Sequence, residues 1–288
     1  MSLIDFILNL AGLLLWLNWR SVRLDPLARA TPATLTGTLR RAVPNRLQRW
    51  HFLAALAALL LVRALFYWKI GGAVNWTARL NLGATSIPFQ SDFFRRMLLF
   101  SVLSFALTLA IFYLWLLFFA VVNRNINDPL QKLVRLMLGR ASRWPNWILL
   151  SLPVAGAVLV WLLISPLLAR MSLVPAASFL HRIEQAVLLG LTAFLTWKYL
   201  IGAVLALYLV NSYIYLGKHQ FWNFINLTSR QMLRPLRRLP LEIGKADFTP
   251  VVGITLVFLL AHFAENGVEI FRVLKIDGLI GLYSRLTP

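Results

Sequence analysis

The sequence predicts an all-α fold: a polytopic transmembrane protein of about six helices in three hairpin-like units, with amphipathic segments on the cytoplasmic side. Three observations predict it. Of the 288 residues, 59% are hydrophobic and only 14% charged, against roughly 25% charged in typical soluble domains. The apolar residues fall in unbroken stretches of about 18 or more, the length that a helix rising about 1.5 Å per residue needs to cross about 30 Å of hydrocarbon. Basic residues, finally, crowd into alternate connections between those stretches.

The apolar spans lie at 2–19, 51–68, 95–122, 147–169, 184–216 and 250–271. Each exceeds the length of a strand, and none shows the ten-residue alternation of a membrane barrel. The first, from Met1 to Leu17, has no basic n-region and no small-residue cleavage pattern before Asn18-Trp19-Arg20, so a retained helix is expected. The third and fifth are long enough to tilt or to project from the bilayer.

Lys and Arg number 29 against 10 Asp and Glu, a formal charge of +19. In a soluble chain that would suggest nucleic acid; in this one it suggests cytoplasmic loops and anionic headgroups, and no nucleic-acid partner is expected. Eighteen basic residues fall in connections 20–50, 123–146 and 217–249, including Arg124, Lys132, Arg135, Arg140, Arg143, Arg230 and Arg234, against nine on the other side. The positive-inside rule makes those three connections cytoplasmic and puts both termini outside, in the cell's inner (plasma) membrane.

Two of these connections are amphipathic. On a wheel from 221 to 234, Phe221, Trp222, Phe224, Ile225, Met232 and Leu233 share one face and Asn223, Asn226, Arg230 and Arg234 the other; 129–140 behaves similarly, with Leu130, Leu133, Val134, Leu136 and Met137 opposite Gln131, Lys132 and Arg135. Such segments suit a membrane interface. The chain also echoes itself. Asp25-Pro26-Leu27 leading to Pro44-Asn45 is matched by Asp128-Pro129-Leu130 leading to Pro145-Asn146, and Ile87-Pro88 with Ser91 and Arg95 by Val174-Pro175 with Ser178 and Arg182. The shared order of helix, basic connection and helix makes three hairpins the simplest organisation.

The last connection carries the most specific pattern: Asn211-Ser212-Tyr213, Phe221-Trp222-Asn223-Phe224, Leu233-Arg234-Pro235-Leu236-Arg237-Arg238-Leu239-Pro240, then Asp247-Phe248-Thr249-Pro250 and the final span. This stretch resembles the YggT family of small bacterial and plastid membrane proteins, with Leu236 where isoleucine is usual and Thr249 where serine is. The resemblance divides the chain into a divergent hairpin at 1–70, a first YggT-like repeat at 88–170, a second and better one at 175–272, and a short polar tail at 273–288. It implies a non-catalytic membrane protein. Relatives are associated with assembly of a plastid cytochrome complex, with division or nucleoid membranes, and with osmotic tolerance and potassium handling.

The residues add physical expectations to that pattern. Thr249 is expected to N-cap the sixth helix, with Pro250 at its first position and Asp247 near the positive end of its dipole. Trp222 and Phe224 are expected to enter the cytoplasmic interface while Arg230, Arg234, Arg237 and Arg238 hold headgroup phosphates or an acidic partner. Three ionisable residues fall inside spans. Arg63, five residues before Trp68, is expected to snorkel outward; Lys198 lies deeper, too far along its helix from Glu184 to be neutralised by it; His262 is expected to hydrogen-bond to another helix.

Without cysteine there are no disulfides, thiolate nucleophiles or Cys-ligated metals. The four histidines are not at metal-ligand spacing, and no paired intramembrane carboxylates, Ser-His-Asp set, phosphate loop or His-Glu-x-x-His motif occurs, so no enzyme, cofactor or metal is expected. The expected function is an assembly, scaffolding or membrane-organisation factor, partnered by anionic lipids and by other membrane proteins or itself. The alternatives are a component of an ion channel or transporter and an accessory subunit of a respiratory or photosynthetic complex.

Overall fold

The long apolar runs fold as helices because only internal backbone hydrogen bonding satisfies the peptide groups in hydrocarbon. The computed structural model describes residues 2–24, 49–214, 219–236, 241–243, 246–270 and 274–286. In chain order its elements are α1 (Ser2–Leu24), α2 (Arg49–Ala73), the hairpin β1 (Thr77–Asn81) and β2 (Ser86–Gln90), α3 (Phe94–Val122), α4 (Pro129–Leu138), a 3-10 turn (Gly139–Arg143) and α5 (Asn146–Arg170). There follow α6 (Phe179–Phe194), α7 (Trp197–Tyr213), α8 (Gln220–Met232), β3 (Glu242–Ile243), β4 (Ala246–Asp247), α9 (Thr249–Asn266), β5 (Gly267–Ile270), β6 (Leu274–Asp277) and α10 (Leu279–Leu286).

Among the described residues, six helical stretches are long and apolar enough to cross a membrane: Leu3–Arg20, Trp50–Ala73, Phe94–Val122, Asn146–Arg170, Phe179–Tyr213 and Thr249–Asn266. Their outward faces carry large apolar side chains, Leu163 at 78% exposure and Val62 at 64% among them. Water does not tolerate such faces over whole helices, and lipid does. The chain is an all-α, multi-pass integral membrane protein.

Three departures from the sequence reading have local causes. The fifth span is not one rod, because 3-10-type bonding interrupts it between α6 and α7: Leu195 N–H donates to Thr192 O and Thr196 N–H to Ala193 O. Thr192 and Thr196 also return their hydroxyls to carbonyls three residues back, at 2.9 and 2.7 Å, a habit that bends helices. The sixth span ends at Asn266 rather than 271. Gly267, with φ +82°, takes the C-cap conformation open to glycine, and the chain then pairs β5 against β6. The polar tail expected at 273–288 supplies β6 and α10, which docks on α6 with Tyr283 buried and Gln185 donating to the Leu286 carbonyl. Burial pushes the Tyr283 phenol up, and a hydrogen bond with Thr85 opposes the shift.

The β1–β2 hairpin was also unanticipated. Its strands alternate exposed and buried residues, with Ala78, Leu80, Ile87 and Phe89 inward. Ile87-Pro88 therefore lies in a strand, whereas its echo Val174-Pro175 precedes α6, which Ser178 caps by accepting from His181 N–H.

Two compact units divide the chain, one of residues 1–80 and 88–110 and the other of 81–87 and 111–288. In the first, α1 packs on α2. In the second, α5 packs on α6, α7 on α9, and α8 on both α7 and α4. The α5–α6 pairing crosses the boundary expected between 170 and 175. Small residues explain it: a Cβ on Gly190 would lie 2.9 Å from the Val154 Cα and 3.2 Å from the Ala157 Cβ, so only glycine lets these backbones approach.

Candidate functional site

Polar side chains inside apolar helices are the natural candidates, since each must find a partner or raise the free energy of insertion. In the first unit, Arg63 on α2 is 1% exposed. It donates to Asp5 Oδ1 at 2.5 Å and to Asn9 Oδ1 at 2.7 Å on α1, and to Ser104 Oγ at 2.9 Å on α3. Tyr67, one turn on, donates to the same Asp5 oxygen, and the guanidinium lies 5.5 and 5.6 Å from the Tyr67 and Phe100 ring centroids. Arg63 therefore does not snorkel. A carboxylate and two neutral acceptors hold it inward, joining three helices.

In the second unit Lys198, near the start of α7, forms an ion pair with Glu265 in the last turn of α9. Glu184 bonds His181 at 3.0 Å instead, and the partner of Lys198 comes from a helix distant in the chain, which no local spacing signals. His262 bonds Asn266 on its own helix at 3.0 Å, not a neighbouring one. It is exposed, and the shortened span leaves it one turn from the end of α9.

At the other end of the spans, α8 packs into protein instead of lying in an interface. Phe224, 6% exposed, meets Phe119 at 5.3 Å between ring centroids, and Ile225 joins Phe118, Leu200 and Val204 in a buried cluster. Thr228 and Ser229 complete the buried stripe: Asn123 donates to Thr228 Oγ1 at 2.8 Å and Ser229 to Val204 O at 3.4 Å. Phe224 is thus not a lipid contact. Trp222 is half-buried against Phe221, and Arg230 and Arg234 are exposed; Arg237 and Arg238 lie outside the described residues.

The helix-start motif is shifted by one position. Asp247 Oδ1 accepts from Thr249 N–H at 2.9 Å, making Asp247 the capping side chain; Thr249 opens α9 and Pro250 follows.

Asp128 performs the corresponding task for α4. One carboxylate oxygen accepts from Leu130 N–H at 2.9 Å, the other from Asn223 of α8 at 3.0 Å. Beside this joint, Gln131 is fully buried and donates to Phe119 O at 3.3 Å, so α4 turns Gln131 and Val134 inward and leaves Leu133 and Leu136 exposed. That reverses part of the amphipathic face expected there. Gly139, with φ +62°, then ends α4 and folds the chain back.

The fold-back forms an open cleft of about 890 Å³ lined by Arg124, Lys132, Arg135, Arg140, Arg143 and Leu136, with no Asp or Glu in its lining. Arg135 braces the loop by donating to the Arg124 and Ile126 carbonyls at 2.7 and 3.2 Å, and Arg124 donates to Asn146 Oδ1 at 2.5 Å. Lys132, Arg140 and Arg143 are exposed and form no ion pair among the described residues. Comparison of the chain with protein-family models, curated proteins and solved structures finds no match. The site must be read from its own chemistry: paired charges within the spans, unpaired cations at their end.

Proposed function

We propose that this integral membrane protein is a non-catalytic assembly, scaffolding or membrane-organisation factor of YggT-like type. It acts in the cell's inner membrane, with anionic lipids and other membrane proteins as partners. The observation that carries the reading is the engagement of the intramembrane charges. Arg63 and Lys198 each face a carboxylate on a neighbouring helix of their own unit, so groups a carrier would turn toward cargo join helices instead. The recurring order of long helix, short amphipathic helix and long helix, in α3–α4–α5 and α7–α8–α9, supports the resemblance.

Proteoliposomes holding the purified protein and a potassium gradient are expected to leak no faster than empty ones, and extraction of native membranes into polymer discs is expected to recover the protein with the same partner each time. A potassium or proton flux abolished by Lys198→Gln would overturn the reading in favour of a transporter component.

The imbalance of basic residues supports placing 20–50, 123–146 and 217–249 at the cytoplasmic face and both termini outside, with 25–48 lying outside the described residues. In this cysteine-free chain, Ser142→Cys and Gln231→Cys are expected to resist an impermeant maleimide in intact cells and to react after lysis. Labelling from outside would reverse the orientation.

A further inference from the structure

We propose that the cleft formed by the end of α3, α4 and the 3-10 turn binds the phosphates of an anionic lipid headgroup, one bearing two phosphates suiting it best. The proposal rests on the reading of the chain as a membrane protein but not on its assembly role. Five cations line one concavity that no carboxylate neutralises. Asp128, in the same connection, is 3% exposed, with its two oxygens engaged by Leu130 and Asn223. Like charges gathered without a counter-ion repel one another, and a multivalent anion removes that repulsion while accepting bidentate guanidinium bonds.

Position and size favour a lipid over a free ion. Ala120, in the last turn of the α3 span, also lines the cleft, which places the cations at the depth where acyl chains give way to headgroups. Large apolar side chains stand exposed along the same connection and at the start of α5: Leu133 at 48%, Leu136 at 54%, Trp144 at 43% and Trp147 at 71%. A ligand with a charged head and apolar tails matches both surfaces, whereas inorganic phosphate matches one. At about 890 Å³ the cleft is near the upper end of the roughly 300–1,000 Å³ of ordinary ligand pockets, larger than a single phosphate needs.

Arg124 and Arg135 also brace the loop, so the test uses the other three cations. The full chain in detergent is titrated with cardiolipin, a lipid of two phosphates, and binding is read by native mass spectrometry. Each cation near an anionic partner counts for about 1 kcal/mol, so Lys132→Gln, Arg140→Gln and Arg143→Gln together are expected to weaken cardiolipin binding roughly a hundredfold. Arg230→Gln with Arg234→Gln on α8 is expected to change it less than about threefold. Phosphatidylcholine should bind neither form tightly, and inorganic pyrophosphate should compete only weakly.

Equal losses in the two variant sets would overturn the site in favour of diffuse attraction, and full displacement by pyrophosphate at the lipid's own concentration would make it a free-anion site. A photoactivatable two-phosphate lipid, used with the unaltered protein, covers the case of a misfolded variant. It should label residues 120–147, and exclusive labelling of 219–236 would sink the proposal. Binding is read on the purified chain, so it stands or falls apart from the flux and co-extraction results.

Discussion

Replacing Asp5 by Ala while keeping Arg63 is expected to cost about 3–5 kcal/mol of stability, the loss seen when one partner of a buried ion pair is removed. Arg63 is 1% exposed on α2, and its remaining acceptors, Asn9 and Ser104, are neutral. The charge then has no counter-ion where water cannot reach it. The informative comparison is the double variant Asp5→Leu with Arg63→Met, which removes both charges and keeps apolar volume. It should regain most of the loss, because a buried pair is worth little against well-packed hydrophobic residues although half a pair is strongly destabilising. Unfolding by SDS, followed through tryptophan fluorescence, measures both. Equal losses in the single and double variants would show that shape rather than charge matters at this junction.

Reversing one charge of the Lys198–Glu265 pair is expected to have the second largest effect. Lys198→Glu sets two carboxylates together between α7 and α9, where a separation of about 4 Å at an effective dielectric near 20 corresponds to about 4 kcal/mol of repulsion, and the former attraction is lost as well. The pair is partly accessible, with side-chain exposures of 13% and 25%, so solvent screening and side-chain relaxation reduce that figure. Lys198→Glu combined with Glu265→Lys restores opposite charges in exchanged places and should recover the midpoint of heat-induced aggregation in detergent. Failure of the exchange to rescue, with each single variant impaired, would mean that Lys198 acts through its position on α7 and not through Glu265.

Spans were legible in the sequence because they depend on composition summed over about twenty residues, which tolerates local error. Positions of single polar residues were not, because they depend on partners far along the chain. Arg63 reads as a snorkelling arginine when only α2 is considered; Asp5 and Asn9, four residues apart on one face of α1, form the matching surface, but nothing local says that α1 packs there. The break at Thr192–Thr196 and the stop at Gly267 had visible local causes, two hydroxyls and one glycine, masked by the apolar residues around them.

The wheel of α8 shows a subtler difficulty. It found the apolar arc, but small hydroxyls can be buried once they are bonded: Thr228 and Ser229 lie at the centre of the packed stripe, while Phe221 lies outside it at 40% exposure. On α4 the same rule inverts the expectation, since a bonded Gln131 goes inward and Leu133 outward. Amphipathic character alone does not say whether protein or lipid takes the apolar face.

The Arg63 junction also constrains how the chain is made. An unpaired arginine opposes insertion, by up to about 2.5–3.5 kcal/mol when it lies at the bilayer centre. The carboxylate partner of Arg63 lies on the helix synthesised before it, while Ser104 emerges later. Insertion of α2 therefore costs less when α1 is already beside it, because Asp5 then neutralises Arg63. The first helix serves its successor as a counter-ion delivered in advance.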